Sequence, residues 1–490
     1  MEGQHLSLRA SFNTRLTLTV LLIAVSQFNF GFDQQGFSST QAMDAFAKQF
    51  GKYNEAKGTY ALPTVWVSMF NSFIYLGQAT GVILGSYISR RFGRRMCVFV
   101  MSIWALVYVY IGMELSVVPI FQSEITPRQA RGFVVGTYQT SLFFGGLVIN
   151  CICRGTGSLS GRQQYLIPWG LFYLIPTIVA SCIWFVPESP RWLVMRGRRE
   201  EARASLGKLR QGKFTDEEID AELALIVAGI EMELEQGSFF ELFHPRQIRR
   251  TGVVIGANFF LQATGQNFTS VYGALFAKSL GTINPFTVTV ILAVVNTLTA
   301  IMAQFLTDKL GRRPQVFAGA CIQTAALMTM GGLGTAPKQT HSIKSGIVAM
   351  MVVFTFGYSL GWAPTSHILS AEIPSTRMRD MTYRTASVIN IAVQFVVTFS
   401  LPYLLNEPYA NLGSKVGFIF GSIAAVSIAF AYFFVPDVSG STLEEVDMLF
   451  ASDLPIRKFK RSALPQTVPE AKGVDVLEVE LVDAKKTATA

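Results

Sequence analysis

The chain has little charge. Of its 490 residues only 15% are Asp, Glu, Lys or Arg, against roughly 25% in soluble domains. That is too thin to cover two or three soluble domains. Histidine is scarce too: the four in the chain are scattered, they form no recognisable nucleophile–base pair, and no cofactor fingerprint accompanies them. No catalytic constellation can be assembled, so neither an enzyme nor a bound cofactor is expected. The five cysteines, Cys97, Cys151, Cys153, Cys182 and Cys321, fall in or at the edge of apolar runs. Apart from the close Cys151/Cys153 pair none has metal-ligand spacing, and they read as small core residues rather than a disulfide or zinc framework. No cleavable signal is expected either. Fifteen mostly polar residues precede LTLTVLLIAVSQFNFGF, which outruns a signal's apolar region and continues into Asp33 without a small-residue cleavage site.

What is abundant is grease. Half the residues are hydrophobic, 12% are aromatic, and Phe alone occurs 39 times. An integral membrane protein is the first reading, with the bilayer as its main partner. The net charge of +9 would suggest nucleic acid on a soluble protein. Here the basic residues cluster in short loops between apolar runs, as on the inner face of a membrane protein, and no nucleic acid is expected.

A span needs about 20 apolar residues at 1.5 Å each. Runs near 17–35, 64–88, 133–153, 166–186, 251–277, 285–306, 315–335, 346–370, 384–405 and 415–435 qualify, and a further apolar stretch covers 96–122. The organisation expected is a cytoplasmic N-terminus (1–16), an N-terminal helix bundle (17–186), a cytoplasmic linker (187–250), a C-terminal bundle (251–435) and a cytoplasmic tail (436–490). In the linker, Thr215 and Glu218 have capping-box spacing. With the N-terminus inside and spans alternating, inner segments hold 32 Lys and Arg and outer segments 9. The sidedness follows, provided an even number of crossings lies between Arg95 and Arg128.

The chain repeats itself. GSYISRRFGRR (85–95) returns as AQFLTDKLGRR (303–313), and SEITPRQARG (123–132) as AEIPSTRMRD (371–380). Such duplication is characteristic of transporters. The spacing differs: Arg313 to Glu372 is 59 residues, Arg95 to Glu124 only 29. The first half is short by about one helix and a loop, too little chain for two full crossings. A skipped exon or mis-drawn gene model would account for this; half-length or re-entrant helices are the alternative.

FGFDQQGF in span one, the two GRR turns, VPIFQSEITPRQARG, PESPRWL (187–193), LQATGQNFTSVYG (261–273) and VPDVSGSTLEEVD (435–447) stand in order. Together they resemble the sugar-porter branch of the major facilitator superfamily, most of all fungal sugar and oligosaccharide permeases. The resemblance covers about 17 to 460. It implies an all-α polytopic membrane protein of the major facilitator fold, two six-helix pseudo-repeats with the first one helix short, eleven spans rather than twelve.

The resemblance also implies roles. Arg94, Arg95, Glu124, Arg131, Glu188 and Arg191 in the first half would form charge networks at the inner helix ends. So would Asp308, Arg312, Arg313, Glu372 and Arg379 in the second. Ser89 stands where the family's first-half aspartate is, which weakens that lock. Asp33 is the proton-coupling candidate; its usual partner, an arginine on helix four, is missing, since no Lys or Arg occurs from 96 to 127. That leaves protons as a partner open. Sugar hydroxyls call for amides and indoles rather than charges. Gln139, Gln262, Asn267, Asn296 and Asn390 match the family, and Leu261 replaces the first of its paired glutamines. His367 takes the place of a tryptophan for which Trp362 could substitute. These departures suggest a substrate unlike glucose, such as a disaccharide.

The expected function is therefore sugar transport across the plasma membrane by alternating access. A transporter-like sugar sensor, and a porter for a polyol or quinate-like acid, are the alternatives. A chain inactivated by the missing segment would cut across all three.

Overall fold

The computed structural model describes residues 12–55, 58–105, 111–233, 239–375, 378–438, 446, 449–450 and 454–459. The described chain is helical except for one small hairpin. Helix α1 (Thr14–Thr40) starts at Asn13, whose Oδ1 accepts the Leu16 N–H at 2.7 Å. The Asn13 amide donates to the Leu209 and Gln211 carbonyls, tying span one to the linker. After α2 (Asp44–Phe50) and the hairpin β1 (Lys52–Asn54) and β2 (Thr59–Ala61) come α3 (Thr64–Phe92), α4 (Arg94–Ala105), α5 (Ile111–Ile125) and α6 (Arg128–Thr156). The short helices α7 (Gln163–Leu171) and α8 (Leu174–Cys182) run on to Phe185 as one broken span.

The linker folds as α9 (Pro190–Met195), α10 (Arg199–Arg210) and α11 (Asp216–Glu233). Ser189 caps α9 ahead of Pro190, which is the local reason for the PESPRWL turn. At α11 the capping box forms: Thr215 N–H donates to Glu218 Oε2 at 2.8 Å and Glu218 N–H to Thr215 Oγ1 at 3.3 Å. Buried Arg210 grips Glu222 with two hydrogen bonds of 2.9 and 2.8 Å and donates to the Ile125 carbonyl. That clamps the linker onto the inner end of α5.

The second half contains α12 (Pro245–Ala263), α13 (Gln266–Ser270), α14 (Gly273–Leu280), α15 (Pro285–Leu310), α16 (Arg312–Leu333), α17 (His341–Leu360), α18 (Trp362–Glu372), α19 (Arg379–Leu405) and α20 (Val416–Phe434). The stretch read from sequence as one span over 251–277 is broken at Gly265, which sits at φ +93. A second break at Gly361 separates α17 from α18. Eight described helical segments are long and apolar enough to cross a bilayer, and the chain is a multi-pass membrane protein. One buried apolar cluster fills each half; Ala274 and Phe286 of the second half join the first cluster, and Val67 of α3 joins the second. Helices α1 and α6 touch backbone to backbone: a Cβ on Gly31 would fall 1.8 Å from the Leu142 carbonyl oxygen.

The short region of the first half takes a form that differs from a single deleted helix. Both α4 and α5 are present, described over Arg94–Ala105 and Ile111–Ile125; the 32 residues from Arg94 to Ile125 are fewer than the roughly 40 that two full crossings of a roughly 30 Å hydrocarbon core require. The start of α4 and the end of α5 lie side by side, because Arg94 donates to Glu124 from Nε and Nη2 at 2.9 Å each. The start of α4 and the end of α5 therefore share one end of the first bundle. In the second half the matching pair, Arg312 to Glu372, closes a loop of 60 residues; in the first the loop is 30.

Candidate functional site

Between the halves lies an open cavity of about 1340 Å³, counting its mouth. It is lined from α6 by Gln139, from α12 by Gln262, from α13 by Asn267, from α15 by Asn296, from α18 by His367 and from α19 by Asn390. Six of the residues singled out from sequence are therefore brought together. Gln262 Nε2 donates to Asn390 Oδ1 at 3.2 Å, and Asn390 Nδ2 to Asn258 Oδ1 at 3.3 Å. Asn267 Nδ2 donates to Thr398 Oγ1 at 2.6 Å, and Ser359 Oγ to Asn296 Oδ1. The buried Oε1 atoms of Gln262 and Gln266 accept no hydrogen bond among the described residues. Such atoms on a cavity wall are ready acceptors for a hydroxyl.

Trp362 is placed elsewhere. It is fully buried behind the wall, its ring stacked on Phe260 at 5.8 Å and its indole N–H on Ser427 Oγ at 3.3 Å. The aromatic packing of α12 and α20 claims it, so it does not replace the indole missing at His367. Leu261 does face the cavity, so the loss of an amide there is a real change in the wall.

Sequence reasoning missed part of the lining: Asn258, Gln266, Gln78, and Gln34 and Gln35 from the DQQGF string. The signal was present, since each is an amide inside an otherwise apolar helix. In all, twelve Asn and Gln side chains line the cavity, and none of the lining residues is Asp, Glu, Lys or Arg. Two of the broken helices, at Gly265 and Gly361, flank it, as discontinuous helices do at transporter sites.

At the ends expected to face outward, contacts join the two halves. Lys278 on α14 donates to Asp44 at 2.6 Å and to the Ala42 carbonyl at 2.8 Å. Arg154 at the end of α6 reaches Thr287 at 2.7 Å, and Ser68 on α3 the Phe399 carbonyl at 2.7 Å. These contacts join the two halves at their outer ends. The described inner-end ion pairs, by contrast, each stay within one half.

At the inner ends the two halves are built alike. Glu188 caps α4: its Oε1 accepts the N–H of Arg94 at 2.9 Å and of Arg95 at 3.1 Å. Burial lifts the Glu188 carboxyl above its ordinary range, and the N–H groups of Ser189, Arg95 and Arg94 draw it back. The Asp437 carboxylate stands against Gly311 in the same way at the start of α16. VPES and VPDV are therefore a third matched pair, and Asp437 is a network residue that sequence comparison of the halves had not paired. Arg94 also donates to the Ser89 carbonyl and hydroxyl, so serine partly fills the aspartate's place. Arg95 lies over Trp184 at 5.4 Å. Arg313 instead donates to the Arg457 carbonyl in the tail and the Tyr432 carbonyl near the end of α20. Arg191 borders a small inner cavity with Glu124 and Glu222. The side chains of Arg131, Asp308 and Arg379 lie outside the described ones. Asp33 is away from the cavity, buried in the first bundle with its Oδ2 accepting Asn29 Nδ2 at 3.1 Å.

Two helical halves around a neutral, amide-walled cavity define a secondary transporter of the major facilitator fold. Solved structures agree on the fold. The xylose transporter XylE from E. coli in a partially occluded inward-open conformation superposes with a TM-score of 0.71, at 18% identity, over 88% of this chain and 100% of that one. Its inward-open form gives 0.70 at 20% identity, over 89% and 99%. The model described as "Sugar (and other) transporter" matches residues 19–109 and 105–450, and the chain belongs to that family. The two matched stretches meet at 105–109, inside the 95–124 interval in which the spacing of the halves differs. Among curated relatives, the high glucose sensor RGT2 of Saccharomyces cerevisiae is 30% identical over 481 residues, 91% of this chain and 62% of the sensor's own length. Hexose transporter HXT8 of the same organism is 28% identical over 475 residues, 90% of this chain and 83% of that protein.

Proposed function

We propose that this chain carries a neutral sugar, a hexose or a disaccharide, across the plasma membrane by alternating access. The observation that carries this reading is the cavity wall: twelve amides and no ionised group among its lining residues. Amides donate to and accept from hydroxyls, and they exchange those bonds for water at low net cost, so capture does not preclude release. A quinate-like acid would want a cation in the wall, which argues for an uncharged ligand. The named amides Gln139, Gln262, Asn267, Asn296 and Asn390 are its proposed contacts, with His367 open to the cavity beside them. Hexose transporters among the relatives and the contacts between the halves at the ends expected to face outward support an inward-facing carrier.

Uptake of labelled hexoses and disaccharides into transport-deficient cells tests this. Saturable uptake of at least one is expected. Gln262→Ala should lower it about tenfold, the worth of one or two buried hydrogen bonds at about 0.5–1.5 kcal/mol each. Sugar-dependent signalling without uptake would instead support the sensor reading, which the resemblance to RGT2 keeps in view. Uptake untouched by Gln262→Ala would remove the cavity from the mechanism.

A further inference from the structure

We propose that Gln315 on α16 is a positioning residue for the sugar site. By donating to the Leu360 carbonyl it holds the joint between α17 and α18, and through that joint the part of the cavity wall that α18 carries. The proposal rests on the transport reading above and adds to it a residue that does not itself line the cavity.

The need for a donor is written in the sequence. In a continuous helix the Leu360 carbonyl would accept the N–H of residue 364, which is Pro364. Proline has no N–H, and its ring crowds the carbonyl four residues back. The helix parts there: α17 ends at Leu360, Gly361 stands at φ −95 and ψ −87, and α18 begins at Trp362. The orphaned carbonyl accepts Gln315 Nε2 at 2.8 Å, out of reach of solvent.

Close packing brings the amide within reach. One turn along α16 from Gln315, a Cβ on Gly319 would fall 2.5 Å from the Gly357 carbonyl oxygen and 2.6 Å from Gly361 Cα. Helix α16 and the joint are thus in backbone contact. The other anchors of α18 are of different kinds. Trp362 holds its first turn by the side chain, through Phe260 and Ser427. Its far end is fixed by Arg312 on Glu372 at 2.9 Å and by Asn258 Nδ2 donating to Ser370 Oγ at 2.8 Å. Between these, the Thr365 and Ser366 hydroxyls are buried without a hydrogen-bond partner among the described residues. Gln315 holds the backbone at the joint itself.

The joint reaches the site from both sides. Before it, Ser359 Oγ donates to Asn296 Oδ1, and Thr355 and Tyr358 line the cavity. After it, α18 carries Ala363 and His367 to the wall. A buried carbonyl left without a donor is costly, and the joint relieves that cost by moving. Asn296 and His367 then move with it, and the arrangement that fits the sugar is less populated. Apparent affinity falls in proportion to that population.

Gln315→Leu removes the donor at nearly the same volume. In transport-deficient cells given labelled glucose and maltose as probes, KM is expected to rise about fivefold, the factor one buried hydrogen bond of ordinary strength is worth, with Vmax within about twofold of the wild type. Pro364→Ala returns an N–H to the helix, so in its background Gln315→Leu should leave KM unchanged. An unmoved KM in Gln315→Leu alone, or the same rise in both backgrounds, would overturn the proposal, because a side chain that only fills space costs the same in either. Hydrogen exchange of the purified protein reads the joint without sugar. Gln315→Leu should speed exchange in 357–372 and leave the break at Gly265 as it was; no change, or a change spread over both breaks, would overturn the hold on the joint. Uptake of neither probe by the wild type would overturn the transport reading and the role at the site with it, while faster exchange confined to 357–372 would still support the hold. Should Gln315→Leu fail to fold, Gln315→Asn, an amide shorter by one methylene, carries the same readouts.

Discussion

Gly93 shows how much one residue can decide. Its φ of +103 is a conformation that L side chains rarely adopt, and a Cβ there would fall 2.3 Å from Glu188 Oε2. The absence of a side chain lets a carboxylate from the far end of the first bundle reach the start of α4. Gly93→Ala is expected to destabilise the protein by about 2 kcal/mol or more, from left-handed strain and the displaced cap together. The thermal midpoint of the purified protein measures it; a midpoint equal to the wild type's would refute the account of the cap. This residue's motif was legible in the sequence, since the GRR turn occurs twice. Its partner was legible only in part: Glu188 stands in a recognisable string, but its reach across 94 residues to the Arg94 N–H needed the fold. The site residues divide in the same way. An amide in an apolar helix announces itself, so Gln139, Gln262 and Asn390 could be named. Trp362 could not be excluded, because which face of a buried helix meets a cavity depends on packing against Phe260 and Ser427.

At the scale of elements, the pair α4 and α5 bears most of the consequence. The repeat and its spacing made the shortfall legible, and loop length alone could not say whether one helix was gone or two were cut. The ion pair at their ends decides it. Arg94 and Glu124 side chains are 11% and 6% exposed, and their second-half counterparts Arg312 and Glu372 are 10% and 28%. Removing one partner of a buried pair strands the other, at about 3–5 kcal/mol. Arg94→Ala should therefore destabilise more than Arg312→Ala, and a double-mutant cycle with Glu124→Ala should show coupling above about 1 kcal/mol. Equal effects at the two arginines would mean that the short helices are not held by this contact. The origin of the shortness has its own check. A transcript read across the codons for Val107–Ile111 is expected to restore about 30 codons, the difference between the 60- and 30-residue loops closed by the two ion pairs. An unchanged transcript would make half-length helices the native form.

For the whole molecule, composition and the distribution of basic residues already implied a membrane protein with its GRR turns inside. The broken helices at Gly265 and Gly361 were not foreseen, because an apolar run reads as continuous whether or not a glycine interrupts its hydrogen bonds. Those breaks and the contacts of Lys278 and Arg154 mark the state seen here: the halves joined at the ends expected to face outward, with the amides gathered at the cavity between them. The central claim is that this cavity opens to either side in turn and moves a neutral sugar. Sugar counterflow in liposomes holding the purified protein tests it most directly. Preloaded unlabelled sugar should drive a transient accumulation of labelled sugar, and Asn390→Ala should abolish the overshoot. No overshoot with any neutral sugar from hexose to disaccharide, or an overshoot that Asn390→Ala leaves intact, would contradict it.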